Sequence, residues 1–268
     1  MKTTNIANET ISVASDATRS FMALPRPVVA LAKDFPAGHV TSFHHHARSQ
    51  LLYASSGVMT VTTDDGIWVV PPFRAIWIPA RMRHQRRTSG PLSVRTLYID
   101  PDYSSGFPQG CCVVAVSPLL KELILHVVSM PQPYPLGGPE ERLVKVLLDQ
   151  IHAVDLKSLR LPIPRDLRLK KIFSALLKHP GDKKTLDEWG RIVGATRRTL
   201  TRLFQSETGM SFGQWRQQIR ILESLRRLAE KEPVTSVAID LGYESPSAFI
   251  SMFKKALGKT PGHYFEYG

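Results

Sequence analysis

Three histidines and a glutamine in the first hundred residues have the types and spacing of a site. His44 and His46 stand two apart, so on a β-strand both imidazoles point to the same face. Gln50 follows four residues later. The segment Pro79-Ala80-Arg81-Met82-Arg83-His84 can bring a third imidazole from a neighbouring strand. Three imidazole nitrogens with an amide oxygen suit a borderline divalent metal such as Zn, Ni, Fe or Mn. The same groups suit an organic effector held by hydrogen bonds, and they also suit a purely structural role; all three readings stay open. Tyr53, Trp68 and Trp77 sit on nearby strand segments and are expected to line such a pocket, although packing is the commoner fate of strand aromatics. His45, on the opposite strand face, is expected to be exposed.

A second set of residues could read a polyanion. In the helical stretch Arg197-Arg198-Thr199-Leu200-Thr201-Arg202-Leu203-Phe204, the apolar side chains leave Arg197, Arg198, Thr201 and Arg202 outside. Arg198, Thr201 and Arg202 lie at i, i+3 and i+4 and so share a face, from which arginine can reach guanine O6 and N7 bidentately. Further on, Ser247, Ser251, Lys254 and Lys255 offer hydroxyl and ammonium groups that suit phosphate contacts.

The rest of the 268 residues must position these groups. The chain carries 35 Lys+Arg against 23 Asp+Glu, a formal charge of +12. From Arg165 to Gly268 there are 19 basic and 11 acidic residues, so +8 of the excess sits in the last 104 positions. Cys111 and Cys112 are the only cysteines and are adjacent, which excludes a disulfide framework. No apolar run approaches the roughly 20 residues needed to span a bilayer. The first residues lack the apolar stretch of a secretory signal, so no membrane partner and a cytoplasmic location are expected. Residues 1–20 read as a flexible arm. From residue 21 to residue 117, short apolar runs broken by Pro, Gly and Asp predict a small antiparallel β-barrel or sandwich. A hairpin is expected about Asp64-Asp65-Gly66. Pro118 to Ser129 is helical in pattern. A second helix follows, with Leu143, Val144, Leu147, Leu148, Ile151 and Val154 as an apolar stripe that is assigned to a dimer seam.

The last hundred residues repeat themselves at an offset of 49. Thr196 matches Ser245, Leu200 matches Phe249, Phe204 matches Phe253, Gly209 matches Gly258 and Trp215 matches Tyr264. Each copy has a hydroxyl N-cap, two core residues one turn apart and a glycine past the helix end. Each is preceded by a short helix and a turn, so two helix-turn-helix units are predicted. Phe212 to Glu230 can form one helix between them, about 28 Å long at 1.5 Å per residue. That is close to the roughly 34 Å between successive major-groove faces of B-DNA.

The stretches Leu186 to Val193, Arg198 to Gly209, Asp240-Leu241-Gly242-Tyr243, Ser245-Pro246-Ser247-Ala248-Phe249, Phe253-Lys254 and Gly258-Lys259-Thr260-Pro261 resemble the DNA-binding domain of AraC/XylS-type transcription regulators. Ser251 is smaller than the polar residue many relatives carry there. Residues from about Val28 to Asp100, with Gly38, His44, His46, Gln50, Gly57 and His84, resemble the two motifs of cupin barrels. Glutamate is usual in metal-binding cupins where Gln50 stands, and glycine where Arg81 stands. The resemblance implies a chain of two kinds of domain, β then α: an amino-terminal cupin-like sensor barrel (21–117), a helical dimerisation region (118–157), a linker (158–166) and an all-α double helix-turn-helix domain (167–268). It implies a regulator that binds double-stranded promoter DNA and a small-molecule effector, acts as a homodimer and contacts RNA polymerase, with one divalent metal ion in the barrel among the readings left open. Its rival is a cupin-type metal-dependent enzyme with a helical appendage, which would rest on His44, His46 and His84 holding a catalytic ion. The missing carboxylate ligand and the basic repeat favour the regulator, so no catalytic residue is expected.

Overall fold

The computed structural model describes residues 21–151, 153–154 and 159–265. The flexible arm expected over residues 1–20 lies outside them. By their contacts the residues divide into two units, one running to Thr63 and resuming from Val70 to Leu156, the other made of Asp64–Val69 with the chain from Lys157 onward.

The first unit is built on a sheet. Its strands are β1 (Val28–Phe35), β2 (Ser49–Thr63), β4 (Arg74–Ile78), β5 (His84–Ile99), β6 (Cys112–Ala115) and β7 (Ala153–Val154), in the order β1-β5-β2-β4-β6-β7. The neighbouring strands of this path pair antiparallel. Strand β3 (Gly66–Val70) follows Asp64 and Asp65, where the turn was expected. The long β2–β5 ladder shifts register between Ala54 and Ser56 and again between Ser56 and Val58. Gly57 sits inside that bulge at φ +79°, and a Cβ there would lie 2.3 Å from the carbonyl oxygen of Pro91. Only glycine fits both the backbone angle and the gap.

Residues directly opposed in a ladder share a face. One face carries Val28, Ala30, Leu51, Tyr53, Ala75, Trp77, Leu97 and Ile99, and it is buried against helices α1 (Pro118–Ser129) and α2 (Pro139–Asp149). Ser117 caps α1 by accepting from the Leu120 amide, and Pro118 occupies its first position. Leu120, Ile124 and Val127 of α1 and Val144 and Leu147 of α2 complete this core. Of the apolar stripe assigned to a dimer seam, Val144, Leu147 and Ile151 are therefore buried inside the unit, with Leu143 and Leu148 partly buried against them. Amphipathic spacing shows that a face is buried but not what buries it. The stripe also ends early: α2 stops at Asp149, and Ala153–Val154 pairs with β6. Arg48 is buried and ties down the start of the unit, donating to the carbonyls of Met22, Leu24 and Arg26 and pairing with Asp100 at 3.2 Å.

The second unit is helical. Strand β8 (Arg160–Pro162) opens it, so the stretch expected as a bare linker carries a strand, antiparallel to Gly66–Trp68, with Leu161 buried. Among the described residues seven helices follow: α3 (Leu167–Lys178), α4 (Leu186–Val193), α5 (Arg197–Thr208), α6 (Phe212–Ala229), α7 (Val234–Asp240), α8 (Pro246–Leu257) and α9 (Pro261–Tyr264). Their ends are set locally. Thr185 and Glu188 form the capping box of α4, and Ser211 and Gln214 form that of α6. Gly194, Gly209 and Gly258 close α4, α5 and α8 in the left-handed conformation. Glu207 on α5 accepts from the amides of Arg165 (2.6 Å) and Asp166 (3.1 Å), at the root of α3.

Candidate functional site: a reading helix and a histidine cluster

The first helix-turn-helix unit is α4 and α5. Leu200 and Phe204 are fully buried, and Phe204 packs on Phe212 and Trp215 with ring centroids 5.3 and 5.4 Å apart. Thr196 caps α5 by accepting from the Thr199 amide. With one side locked in the core, the opposite side must face outward. Arg198, Thr201 and Arg202 are exposed there, and Gln205 extends their row by one turn. Arg197, Arg198, Thr201, Arg202, Gln205 and Ser206 line a single open groove. Arg197 is also exposed but is drawn back to α4, its Nη1 lying 3.0 Å from the Asp187 carboxylate. Leu203 is half-buried rather than fully packed. Gln205 and Ser206 were missed by sequence reading, although the i+3 step from Arg202 points to Gln205.

The second unit is α7 and α8. Ser245 caps α8, Pro246 is its first residue, and Phe249 and Phe253 are fully buried. Phe253 meets Tyr264 at 5.3 Å, as Phe204 meets Trp215. Ser247, Ser251, Lys254 and Lys255 are all exposed.

In the sheet unit, the structure brings His44, His46 and His84 together. His44 and His84 pair through their main chains, each amide donating to the other's carbonyl at 2.9 and 2.8 Å. The Arg81 amide donates to the His46 carbonyl at 2.7 Å. Arg81 itself lies at φ +64°, so the arginine standing at a glycine position adopts the left-handed angle that glycine would. The three ring centroids are 4.4, 4.8 and 5.5 Å apart, and one possible ligand atom from each residue lies within 4.8 Å of the others.

Main-chain acceptors set the tautomers. Nδ1 of His44 is 2.8 Å from the Ser42 carbonyl and Nδ1 of His84 is 2.9 Å from that of Met82. A carbonyl can only accept, so both Nδ1 atoms carry the proton and both Nε2 lone pairs are free. Nδ1 of His46 is buried with no partner. Burial, followed by the charge of His44, pushes His46 down to about 3, and burial and His44 likewise push His84 down to about 4. Burial also lowers His44. These imidazoles are neutral at pH 7, the form that coordinates metals. His45 is exposed, as expected.

Gln50 faces Tyr98 across the ladder and hydrogen-bonds its side chain. Its Oε1 is buried without a partner, which leaves the amide nitrogen as the donor to Tyr98. Tyr98 in turn meets His46 edge-on at 5.4 Å. Tyr53 and Trp77 do not join this group. Both lie on the helix-covered face, where Trp77 stacks on Phe107 at 4.6 Å and donates to the Pro108 carbonyl. Tyr53 is three residues from Gln50, an odd step that a strand sends to the other side. Trp68 is buried on β3 beneath Arg160. Two residues that sequence reading missed stand nearby, Tyr98 and Arg86. Arg86 is two positions after His84 on β5, and its charge lowers the His44 and His84 pKa values. Its Cζ lies 4.0 Å from the Phe35 ring centroid, and its Nε is buried without a partner. The Cys111 thiol lies 3.0 Å from the Met82 sulfur, and burial raises the Cys112 thiol above its ordinary value, which disfavours the reactive thiolate there.

Comparison with known proteins gives two domain matches. Residues 27–132 match the AraC-like ligand binding domain, and residues 189–267 match a helix-turn-helix domain. The HTH-type transcriptional regulator NimR of Escherichia coli is 35% identical over 221 residues, covering 82% of this chain and 81% of NimR. The HTH-type transcriptional regulator RipA of Corynebacterium glutamicum is 30% identical over 103 residues, covering 38% of this chain and 31% of RipA. Among solved structures, the DNA-binding domain of AdpA in complex with a target DNA is 29% identical, with a TM-score of 0.35, over 37% of this chain and 89% of that one.

Proposed function

The chain belongs to the AraC-type HTH transcription regulators, with a cupin-like ligand-binding domain ahead of its helix-turn-helix domain, and on that footing we propose which residues do its work. It is a ligand-responsive DNA-binding regulator rather than a member of an enzyme family. Arg198, Thr201 and Arg202, with Gln205, read base edges in the major groove. Arg197, Ser247, Ser251, Lys254 and Lys255 contact the phosphate backbone. The observation that carries this reading is the row of exposed side chains on α5, opposite the fully buried Leu200 and Phe204. Recognition by arginine supplies the sequence preference, and the lysines supply salt-dependent affinity.

The sheet unit takes a small effector at His44, His46, His84 and Gln50, beside Tyr98. The effector changes DNA binding only in so far as it prefers one arrangement of the protein over another. As a homodimer the regulator would engage paired half-sites, and from them it would contact RNA polymerase in the cytoplasm. Val144, Leu147 and Ile151 of the stripe are packed in the sheet unit's own core, which favours a dimer surface elsewhere.

Selection of bound sequences from a random DNA pool tests the assignment. The wild type should recover a motif with two half-sites, and Arg202→Ala should lose preference at one base step while still binding. A motif unchanged by Arg202→Ala would place the reading face elsewhere.

A further inference from the structure

We propose that Arg220 and Tyr243 are positioning residues for DNA reading: with the contact between Gly181 and Gly242 they clasp the turn of the second helix-turn-helix unit to the loop ahead of α4, and so hold α8 in one orientation relative to α5. This rests on the reading of both helices as DNA-contacting elements.

The covalent connection does not fix that orientation. The chain joins α6 to α7 through residues 230–233 alone, a link about whose bonds the second unit could turn. Val237, Ala238 and Leu241 are buried there, but apolar packing is non-directional. A fixed orientation needs a second attachment made of directional contacts.

The clasp supplies it. Arg220 stands near the middle of the 18-residue α6, and its Nε donates to the Pro180 carbonyl, in the loop between α3 and α4, at 3.1 Å. The same guanidinium hydrogen-bonds the Tyr243 side chain, and its Cζ lies 5.4 Å from the centroid of that ring. One planar group thus meets both units, a geometry that a lysine ammonium does not reproduce. Beside it the main chains touch. A Cβ on Gly181 would come 2.2 Å from the Asp240 carbonyl oxygen, and one on Gly242, at φ +78°, would come 2.7 Å from the Gly181 carbonyl oxygen. The Tyr243 ring continues inward to Phe249 of α8, with centroids 5.4 Å apart. Two further arginines of α6 tie down the parts on either side. Arg216 donates to the Lys184 carbonyl at 3.1 Å, and Arg227 meets the Asp240 carboxylate at 2.6 Å. At i, i+4 and i+11 the three arginines share one face of α6, so the loop and the turn are referenced to the same rail.

Such a clasp couples residues that do not touch, because α8 delivers Lys254 and Lys255 to the phosphates only while its orientation is held. The test uses the full chain on its selected DNA site. Under hydroxyl-radical footprinting the wild type should protect two stretches of backbone roughly 34 Å apart. In Gly181→Ala and Arg220→Met the stretch covered by α5 should stay protected while the second fades. Tyr243→Phe, which keeps the ring against Phe249, should show the same loss more weakly. Lys255→Ala should weaken wild-type binding several-fold but Arg220→Met binding by less than about twofold, whereas Arg202→Ala should cost the same factor in both backgrounds. A residue that only stabilises the fold would leave the Lys255 and Arg220 losses additive. Thermal melting identifies the folded variants, and where Gly181→Ala or Arg220→Met melts below the assay temperature, Tyr243→Phe decides through the same footprint and the same cycle. Both stretches fully protected in the folded variants, or a Lys255→Ala loss equal in every background, overturns the clasp and leaves the regulator reading standing. A wild type without sequence-specific protection would instead defeat the reading under Proposed function.

Discussion

The two helix-turn-helix units share what they bury and differ in what they display. Leu200 and Phe204 on α5 and Phe249 and Phe253 on α8 occupy equivalent places and are equally inaccessible. Thr196 and Ser245 cap the two helices alike, and Gly209 and Gly258 end them at φ +69° and +85°. Outward, the chemistry diverges. Arg198 and Arg202 of α5 stand where α8 has Ser247 and Ser251, whereas Gln205 and Ser206 stand where α8 has Lys254 and Lys255. Positive charge sits toward the start of one helix and in the last turn of the other, where the helix dipole favours cations. Packing constrains the inner half of each helix and leaves the outer half free, so one scaffold can separate sequence preference from general affinity.

The sharpest test of the shared scaffold is the pair Phe204→Ala and Phe253→Ala. Each should cost about 3–5 kcal/mol in urea unfolding of the helical unit, and the two should agree within about 1 kcal/mol. A much milder Phe253→Ala would break the equivalence. Next in size is a place where the copies differ internally. A Cβ on Gly190 would come 2.5 Å from the Ala195 carbonyl oxygen, so Gly190→Ala should cost about 1–3 kcal/mol. The matching position, Ile239, is 64% exposed, and Ile239→Ala should stay within about 0.5 kcal/mol.

On DNA, Arg202→Ala should lose about 1–3 kcal/mol for the selected site and tolerate a changed base there. Lys255→Ala should weaken all sequences alike and reduce the slope of log affinity against log salt by about 1. Equal selectivity losses from both would show that the division between the units is wrong. The smallest effect belongs to Ser251→Ala, which should move the affinity by less than about 0.5 kcal/mol. Competition binding against an unrelated duplex measures all three.

The helical unit was legible because its signals are local. A capping hydroxyl, a glutamate three residues on and a left-handed glycine lie within one helix, and α4 runs over Leu186–Val193 as the capping box implies. The α6 strut ends at Ala229, one residue short of expectation. The sheet unit was less legible because its partners are distant in sequence. Strand β5 begins at His84 and carries Arg86 and Arg87 before its apolar half, so its first eight residues did not read as strand. Alternation alone could have separated Tyr53 from Gln50. Placing Trp77 needed the ladder register that pairs it with Leu51. The histidine group was visible as two spaced motifs. Its tautomers and its lack of a carboxylate depend on carbonyls and neighbours that no local pattern encodes.

The carboxylate of Glu207 fixes the bearing of the exposed arginines of α5. It grips the amides of Arg165 and Asp166, three and four residues beyond β8, from the same helix that exposes Arg198 and Arg202. Rolling that helix about its axis would tear two charge-assisted bonds, so its roll angle is geared to the stretch of chain between β8 and α3.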